Sequence, residues 1–367
     1  MTKGAVWLVT AVLAAGLVAA GCGDDEEEGG GGGTASSDSG GKKPGKVAVL
    51  LPDSKSSVRW ETVDRPFLQK AFEDAGVEVE IQNAEGDKAT QQQQAEQAIT
   101  NGAKVLLLVN LDSGSGAAIA ANAKSQDVKV IDYDRLTLDG DSDYYVSFDN
   151  EKVGQLQGEG LVSCLEGKSD PAVAVLNGSP TDNNATLFKN GYDSVIKPKF
   201  ESGDWTLVDD QSVPDWDNQK ALTIFEQMLQ KANNKVDGVL AANDGLGNAA
   251  ISALKQRKLP QIPVTGQDAT LQGIQNIVNG DQCMTVYKAI KKEADAAAEL
   301  AIELAKGETP SAPATIDNGT KEIPAVFEEP VAVTKDNISE YLGEPDFPKK
   351  EEICAGKLAA KCEELGL

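Results

Sequence analysis

Two doubly wound α/β lobes, each built on a parallel sheet, are predicted for this chain by three observations. From Lys46 onward short β-rich runs alternate with helical segments, the runs are almost continuously apolar, and the alternation comes in two successive series of about five strands. Nearly continuous apolar strands mean a sheet covered on both faces, and strand–helix repetition supplies the covering helices through crossovers.

Along the chain, the first series of strands falls at 47–51, 77–82, 105–110, 128–132 and 144–148, and the second at 172–177, 206–210, 239–243, 264–266 and 284–287. Helices fill the spaces at 67–75, 90–101, 117–125, 152–165, 184–198 and 219–231. The last is the clearest, with Leu222, Phe225, Met228 and Leu229 three and four apart on one face. Segment 291–306, with its alternating Glu and Lys, reads as a helix with a solvated face.

Ahead of the fold, Lys3 precedes an apolar stretch, 5–20, that closes on Ala19-Ala20-Gly21-Cys22. A charged start, an apolar segment short for a membrane span and a small-residue cleavage site make residues 1–21 a signal peptide. The ending resembles the bacterial lipoprotein signal, which implies that Cys22 is lipidated and becomes the first mature residue. The leucine usual three places earlier is absent. Residues 22–45 carry an acidic run, five glycines and a Ser/Gly tract. Such a segment cannot bury apolar surface and reads as a disordered tether about 25 Å in typical span.

Composition narrows the function. The 367 residues include 34 basic against 58 acidic ones, a net charge of −24, which repels phosphate backbones and argues against a nucleic-acid partner. There is no histidine, which removes Ser-His-Asp and Cys-His catalysis and the commonest zinc sites. Four cysteines follow Cys22. An even number in an exported chain favours disulfides, so Cys354 and Cys362, close in sequence, pair in a C-terminal hairpin and Cys164 pairs with Cys283. Their spacing fits no zinc pattern, and no metal or cofactor is expected.

In doubly wound sheets ligands bind outside the carboxyl ends of the strands. The polar residues there are Asp53, Asp112, Asp134, Arg135, Asn243, Asp244 and Asp268. An active site and a binding cleft would both be placed at these positions.

Several segments together resemble the type I periplasmic sugar-binding proteins, and among them the xylose-binding members. They are Val58-Arg59-Trp60, Tyr133-Asp134-Arg135, the run from Ser147 to Gly154, the run from Gly178 to Ala185, Trp216, Asn243-Asp244, Gly266-Gln267-Asp268-Ala269 and the run from Met284 to Lys288. The likeness extends from about residue 46 to 337, in order and in spacing. It implies a three-strand hinge, with one lobe formed by 46–148 plus 288–322 and the other by 149–287 plus 323–345. Residues 346–367 are left as a C-terminal extension. It also implies a monomeric protein that traps a monosaccharide, D-xylose by preference, and hands it to the membrane permease of an ABC importer. A sensor that presents sugar to a chemoreceptor or kinase would look identical in sequence.

A sugar ring needs flat aromatic surface for its C–H faces and charged or amide groups for its hydroxyls. Hydrogen bonds to charged groups contribute about 1.5–3 kcal/mol each, against about 0.5–1.5 for neutral pairs. By the resemblance, Trp60 and Trp216 sandwich the ring from opposite lobes. Arg59, Asp134, Arg135 and Lys288 reach the hydroxyls from the first lobe or hinge, and Asp182, Asn184, Asn243 and Asp268 from the second. Asp182 and Asp268 could equally be helix caps. The tryptophans, one at a strand-to-helix turn and one in a polar loop, do not read as core residues. Asn150 and Glu151 read as capping residues and stay outside the site. An enzyme is disfavoured because no phosphate-binding loop is present: residues 29–33 lie in the tether and lack the following lysine. A transcriptional regulator would need a basic helix-turn-helix where this chain has a signal and an acidic tether.

Overall fold

The computed structural model describes residues 44–367; the signal peptide, Cys22 and most of the tether fall outside the described residues. The chain begins with β1 (Lys46–Leu51), a wide turn at Trp60–Asp64, α1 (Arg65–Asp74), β2 (Val79–Asn83), α2 (Lys88–Thr100), β3 (Ala103–Leu108), α3 (Ser113–Ser125), β4 (Lys129–Tyr133) and β5 (Tyr144–Phe148). It continues through α4 (Asn150–Cys164), β6 (Ala172–Asn177), α5 (Asn183–Ser202), β7 (Thr206–Ser212), α6 (Asn218–Lys231), β8 (Gly238–Ala241), α7 (Asp244–Gln256), α8 (Leu271–Asn279) and β9 (Met284–Tyr287). After α9 (Ile290–Ala305) come β10 (Ala314–Asp317), β11 (Glu322–Glu328), β12 (Val331–Thr334) and the short helices α10 (Ile338–Tyr341), α11 (Lys350–Ile353) and α12 (Ala359–Glu364).

The first sheet runs β10-β11-β5-β4-β3-β1-β2, parallel throughout except for β10. Its β2-β1-β3-β4-β5 portion is a doubly wound order with the switch point between β1 and β3. The second lobe repeats this order as β7-β6-β8, extended by a bridge from Val239 to Val264. Segment 264–266, expected as a full strand, makes only that bridge. β9 pairs antiparallel with β12 and is tied to the rest by a bridge from Val286 to Gln267.

The sequence explains this punctuation. Acidic or amide side chains stand where strand loops become helices: Asp87 caps α2, Asp112 α3, Asp149 α4, Asp182 α5, Asp217 α6 and Asn243 α7, each accepting a first-turn backbone N–H. Val47, Val49, Leu106, Leu107, Val130 and Ile131 are fully or nearly fully buried between helix layers on the two faces of the first sheet. In the second lobe α4 and α5 pack so closely that a Cβ on Gly154 would strike the backbone of Phe188.

Three connections join the lobes, at Phe148/Asp149, between Tyr287 and Ile290, and between Glu328 and Val331. The third crossing differs from the expected boundary at 322/323. β11 pairs with β5 residue for residue, Ala325 opposite Tyr145 through Glu328 opposite Phe148, so the strand stays in the first sheet to its end. Helix α9 has the expected solvated face and a buried one as well. One face carries charges, but Glu293, Ala294, Ala297, Ala298, Leu300 and Ala301 are buried against the first sheet. Both cysteine pairs are bonded, Cys164–Cys283 with Cα atoms 6.4 Å apart and Cys354–Cys362 with 5.8 Å.

Candidate functional site

All ten residues singled out from the sequence line one small cavity between the lobes. Its volume is only about 30 Å³, so the lobes are drawn together around it, and Ser56, Ser57, Phe188 and Gln267 complete its wall. From the first lobe, the loop after β1 supplies Arg59 and Trp60, and the loop after β4 supplies Asp134 and Arg135. From the second, Asp182 and Asn184 come from the start of α5, Trp216 from the turn after β7, Asn243 from the end of β8 and Asp268 from the segment before α8. Lys288 lies on the middle crossing.

Backbone conformation aims several of these groups. Asp134 has φ +63°, Asp215 +60°, Trp216 +54°, Asp268 +93° and Ala269 +46°, all in the left-handed region that non-glycine residues avoid. Gly178, at the end of β6, leaves the space in which the Trp216 ring lies; a Cβ there would overlap the ring.

Arg59 is the most heavily committed group. Its Nε and Nη2 donate to Asp64 at 3.0 and 2.9 Å, Nη1 to Asp134 at 2.8 Å, and Nη2 also to Glu293 at 2.8 Å. Its guanidinium lies 4.3 Å from the Trp60 ring centroid, and that of Arg135 lies 5.6 Å from the same ring. Burial works against ionised Asp134, but the charges of Arg59, Lys288 and Arg135 outweigh it and hold the carboxyl below its ordinary range. For Glu293 burial wins, reinforced by the Asp134 carboxylate, and its proton affinity is pushed well up.

The lobes meet around the cavity. Asn184 donates to the Asp134 backbone oxygen at 2.9 Å and to its carboxylate at 3.1 Å. Arg135 Nε lies 3.2 Å from Asp182 Oδ2, which also accepts from Trp216 Nε1 at 3.0 Å. Lys288 Nζ lies 3.0 Å from Asp268 Oδ1 and 4.0 Å from Asp134 Oδ2, pairing with both lobes. Three cations, Arg59, Arg135 and Lys288, thus face three carboxylates, Asp134, Asp182 and Asp268, in a wall balanced in charge. Gln267 Oε1 is buried without a hydrogen-bond partner among the described residues, whereas Asp268 Oδ1 has the Lys288 ammonium as its ion-pair partner.

Four sequence readings are settled or changed. Asp182 does cap α5, through Asn184 N, and lines the cavity as well. Asp268 caps nothing, because Thr270 is the cap of α8. Trp60 and Trp216 are 3% and 5% exposed and pack into the apolar cores of their lobes as well as lining the cavity. Asn150 lies behind the wall, donating to Asn184 at 3.0 Å, and the cap of α4 is Asp149. Sequence reasoning missed Ser56, Ser57, Phe188 and Gln267, and behind them Asp64 and Glu293. Gln267 stood beside Asp268 in the same segment, whereas Phe188 has the spacing of an ordinary core residue in α5.

Among the described residues no cluster of metal-ligating side chains occurs, and no helix is long and apolar enough to cross a membrane. Residues 47–309 match the periplasmic binding protein domain family. The chain is 39% identical over 312 residues to the D-xylose-binding periplasmic protein of Escherichia coli, covering 85% of this chain and 93% of that one. It is 42% identical over 296 residues to the protein of the same name from Haemophilus influenzae, covering 80% and 88%. A solute-binding protein of an ABC transporter from Clostridium phytofermentans, solved with bound β-D-glucose, superposes with a TM-score of 0.78 at 30% identity, covering 84% of this chain and 99% of that one.

Proposed function

This chain belongs to the periplasmic binding protein domain family, and on that premise we propose that it is an extracytoplasmic lipoprotein that captures D-xylose between its lobes and delivers it to an ABC-type sugar permease. At the family level it is a solute-binding protein of transport rather than an enzyme, with an extracytoplasmic place of work. The observation that carries the sugar reading is the convergence of ten side chains from both lobes and the hinge on one cavity, with two tryptophans and charges of both signs in its wall. Two indoles suit the C–H faces of a pyranose, and paired cations and carboxylates suit its hydroxyls. The xylose-binding relatives support the pentose.

Titration calorimetry with xylose, ribose, arabinose, glucose and galactose tests the reading. Xylose is expected to bind tightest and to exceed glucose by about tenfold or more, since one extra group in a fitted cavity changes affinity by about 1–3 kcal/mol. A tighter hexose would move the ligand, and the glucose-bound structural relative gives that second reading its support. No heat with any of the five would sink the sugar function. The lipid anchor rests on Cys22 and its flanking residues. Cys22→Ser is expected to release the protein from membranes, and continued retention would remove the anchor from the proposal.

A further inference from the structure

The C-terminal extension, residues 346–367, is held on the second lobe and reaches back to the middle hinge crossing. Its Cys354–Cys362 bond closes a small loop over α8, where Gln275 donates to the Glu352 backbone oxygen at 2.8 Å and Lys361 to the Asn279 backbone oxygen at 2.8 Å. Phe347 is buried edge-on against Tyr287, with ring centroids 5.3 Å apart, and Tyr341 joins the same aromatic cluster. These contacts fix the position of the residue just before Phe347, which is Asp346.

The two carboxylate oxygens of Asp346 go to opposite lobes. Oδ1 accepts from the Tyr287 hydroxyl at the end of β9, and Oδ2 accepts from the Lys291 backbone N–H, 2.9 Å away in the first turn of α9. Helix α9 has no cap of its own, because its N-cap residue is Ala289, which has no acceptor side chain. A carboxylate 55 positions further along the chain takes that place. The run from Tyr287 to Lys291 is therefore pinned at both ends by one side chain. Lys288, the cation shared between Asp134 and Asp268, lies inside that run. In the first turn of the same helix, Glu293 holds Arg59.

We propose that Asp346 is a positioning residue for ligand binding: by bracketing the middle crossing it fixes Lys288 in the cavity wall and stiffens the hinge. The extension is thus part of the binding machinery, acting through Lys288 without touching the cavity. This inference rests on the sugar reading above for its affinity arm only.

Two measurements on the wild-type chain and on Asp346→Ala test it. In hydrogen exchange without ligand, the variant is expected to exchange faster at 287–293, with the rest of the first lobe unchanged. In xylose titrations its affinity is expected to fall roughly 5- to 20-fold, the size of effect of one lost charge-assisted contact. Unchanged exchange at 287–293 overturns the bracket. Faster exchange with unchanged affinity overturns the positioning role and leaves Asp346 a helix cap. If the wild type binds no monosaccharide, the sugar reading fails while the exchange arm still decides the bracket. Should Asp346→Ala not fold, Tyr287→Phe removes one arm and leaves the helix cap; it is expected to show the same two effects in weaker form, and affinity equal to wild type overturns the role.

Discussion

At the scale of single residues, the cavity wall contains two arginines with different duties. Arg59 makes four hydrogen bonds to three buried carboxylates, Asp64, Asp134 and Glu293, and its planar fork is the only side-chain shape that reaches all three. Arg135 has one close ion pair, with Asp182 of the facing lobe, which exists only while the lobes are together. Arg59→Lys is therefore expected to destabilise the ligand-free protein by about 3 kcal/mol or more, because it strands buried carboxylates. Arg135→Lys is expected to cost the ligand-free protein less than about 1 kcal/mol while still weakening sugar binding. Urea unfolding beside xylose titration separates them, and equal losses of stability would refute the division. Arg135 is a site candidate from its place after a strand, and Arg59 only from the resemblance. The structural burden on Arg59 was not legible in the sequence, because its partners Asp64 and Glu293 lie 5 and 234 positions away and only the fold brings them together.

At the scale of elements, the legible parts are those in which local chemistry and tertiary packing agree. β1, β5, β6 and β9 are short apolar runs buried on both faces, and both their existence and their approximate ends could be read from the sequence. The illegible parts depend on partners far along the chain. β10 alternates half-buried and exposed residues, and β11 carries Pro324 near its start. They extend one side of the first sheet, β11 beside β5 and β10 outside it, and these pairings are set by the hinge rather than by their own sequence. Segment 264–266, led by Pro263, is too short to hold a ladder and survives as a single bridge. Helices α7 and α8 are extensively buried; α7 carries small residues such as Ala249 and Ala250 that give little hydrophobic signal, and α8 is only nine residues long. In α9 the charged positions other than Glu293 form the solvated face that the sequence suggests, and what it does not show is the buried face opposite. Its charged positions are conspicuous in sequence, and its buried face is made mostly of alanine, which carries little hydrophobic signal. Of the ten candidate residues, the doubly wound pattern points by itself to Asp134, Arg135, Asn243 and Asp268, which stand at strand ends. The other six are given only by the resemblance, because loops and helix starts carry no such positional signal.

At the scale of the whole molecule, the absence of histidine makes the response to pH unusually simple. No side chain of ordinary proton affinity changes charge between pH 6 and 8. Three buried carboxyls, Asp132, Asp244 and Glu293, are raised above their ordinary range. Burial pushes Asp132 and Asp244 up to about 6 from 3.8, in spite of the hydroxyl and amide donors around each. A group whose proton affinity is raised by folding stabilises the native state most when protonated, below its unfolded value, and that contribution is lost as pH rises through its folded value, about 6 for Asp132 and Asp244. The carboxylates held low, such as Asp134, Asp112 and Asp209, behave oppositely and fail only as pH falls below their ordinary range. The net charge adds to the first trend, because a chain at −24 at pH 7 with an isoelectric point near 4.4 sheds self-repulsion on acidification. The ligand-free protein is therefore expected to melt a few degrees higher at pH 5 than at pH 7.5 at equal ionic strength. Each tenfold gain in proton affinity on folding corresponds to about 1.4 kcal/mol, and three groups contribute. Raising the salt concentration at pH 7.5 is expected to recover the repulsive share alone and leave the share due to Asp132, Asp244 and Glu293 in place. Calorimetric scans at the two pH values and two salt concentrations check both parts. A lower melting temperature at pH 5 would mean that the paired carboxylates of the cavity and surface, not Asp132, Asp244 and Glu293, govern the molecule's stability.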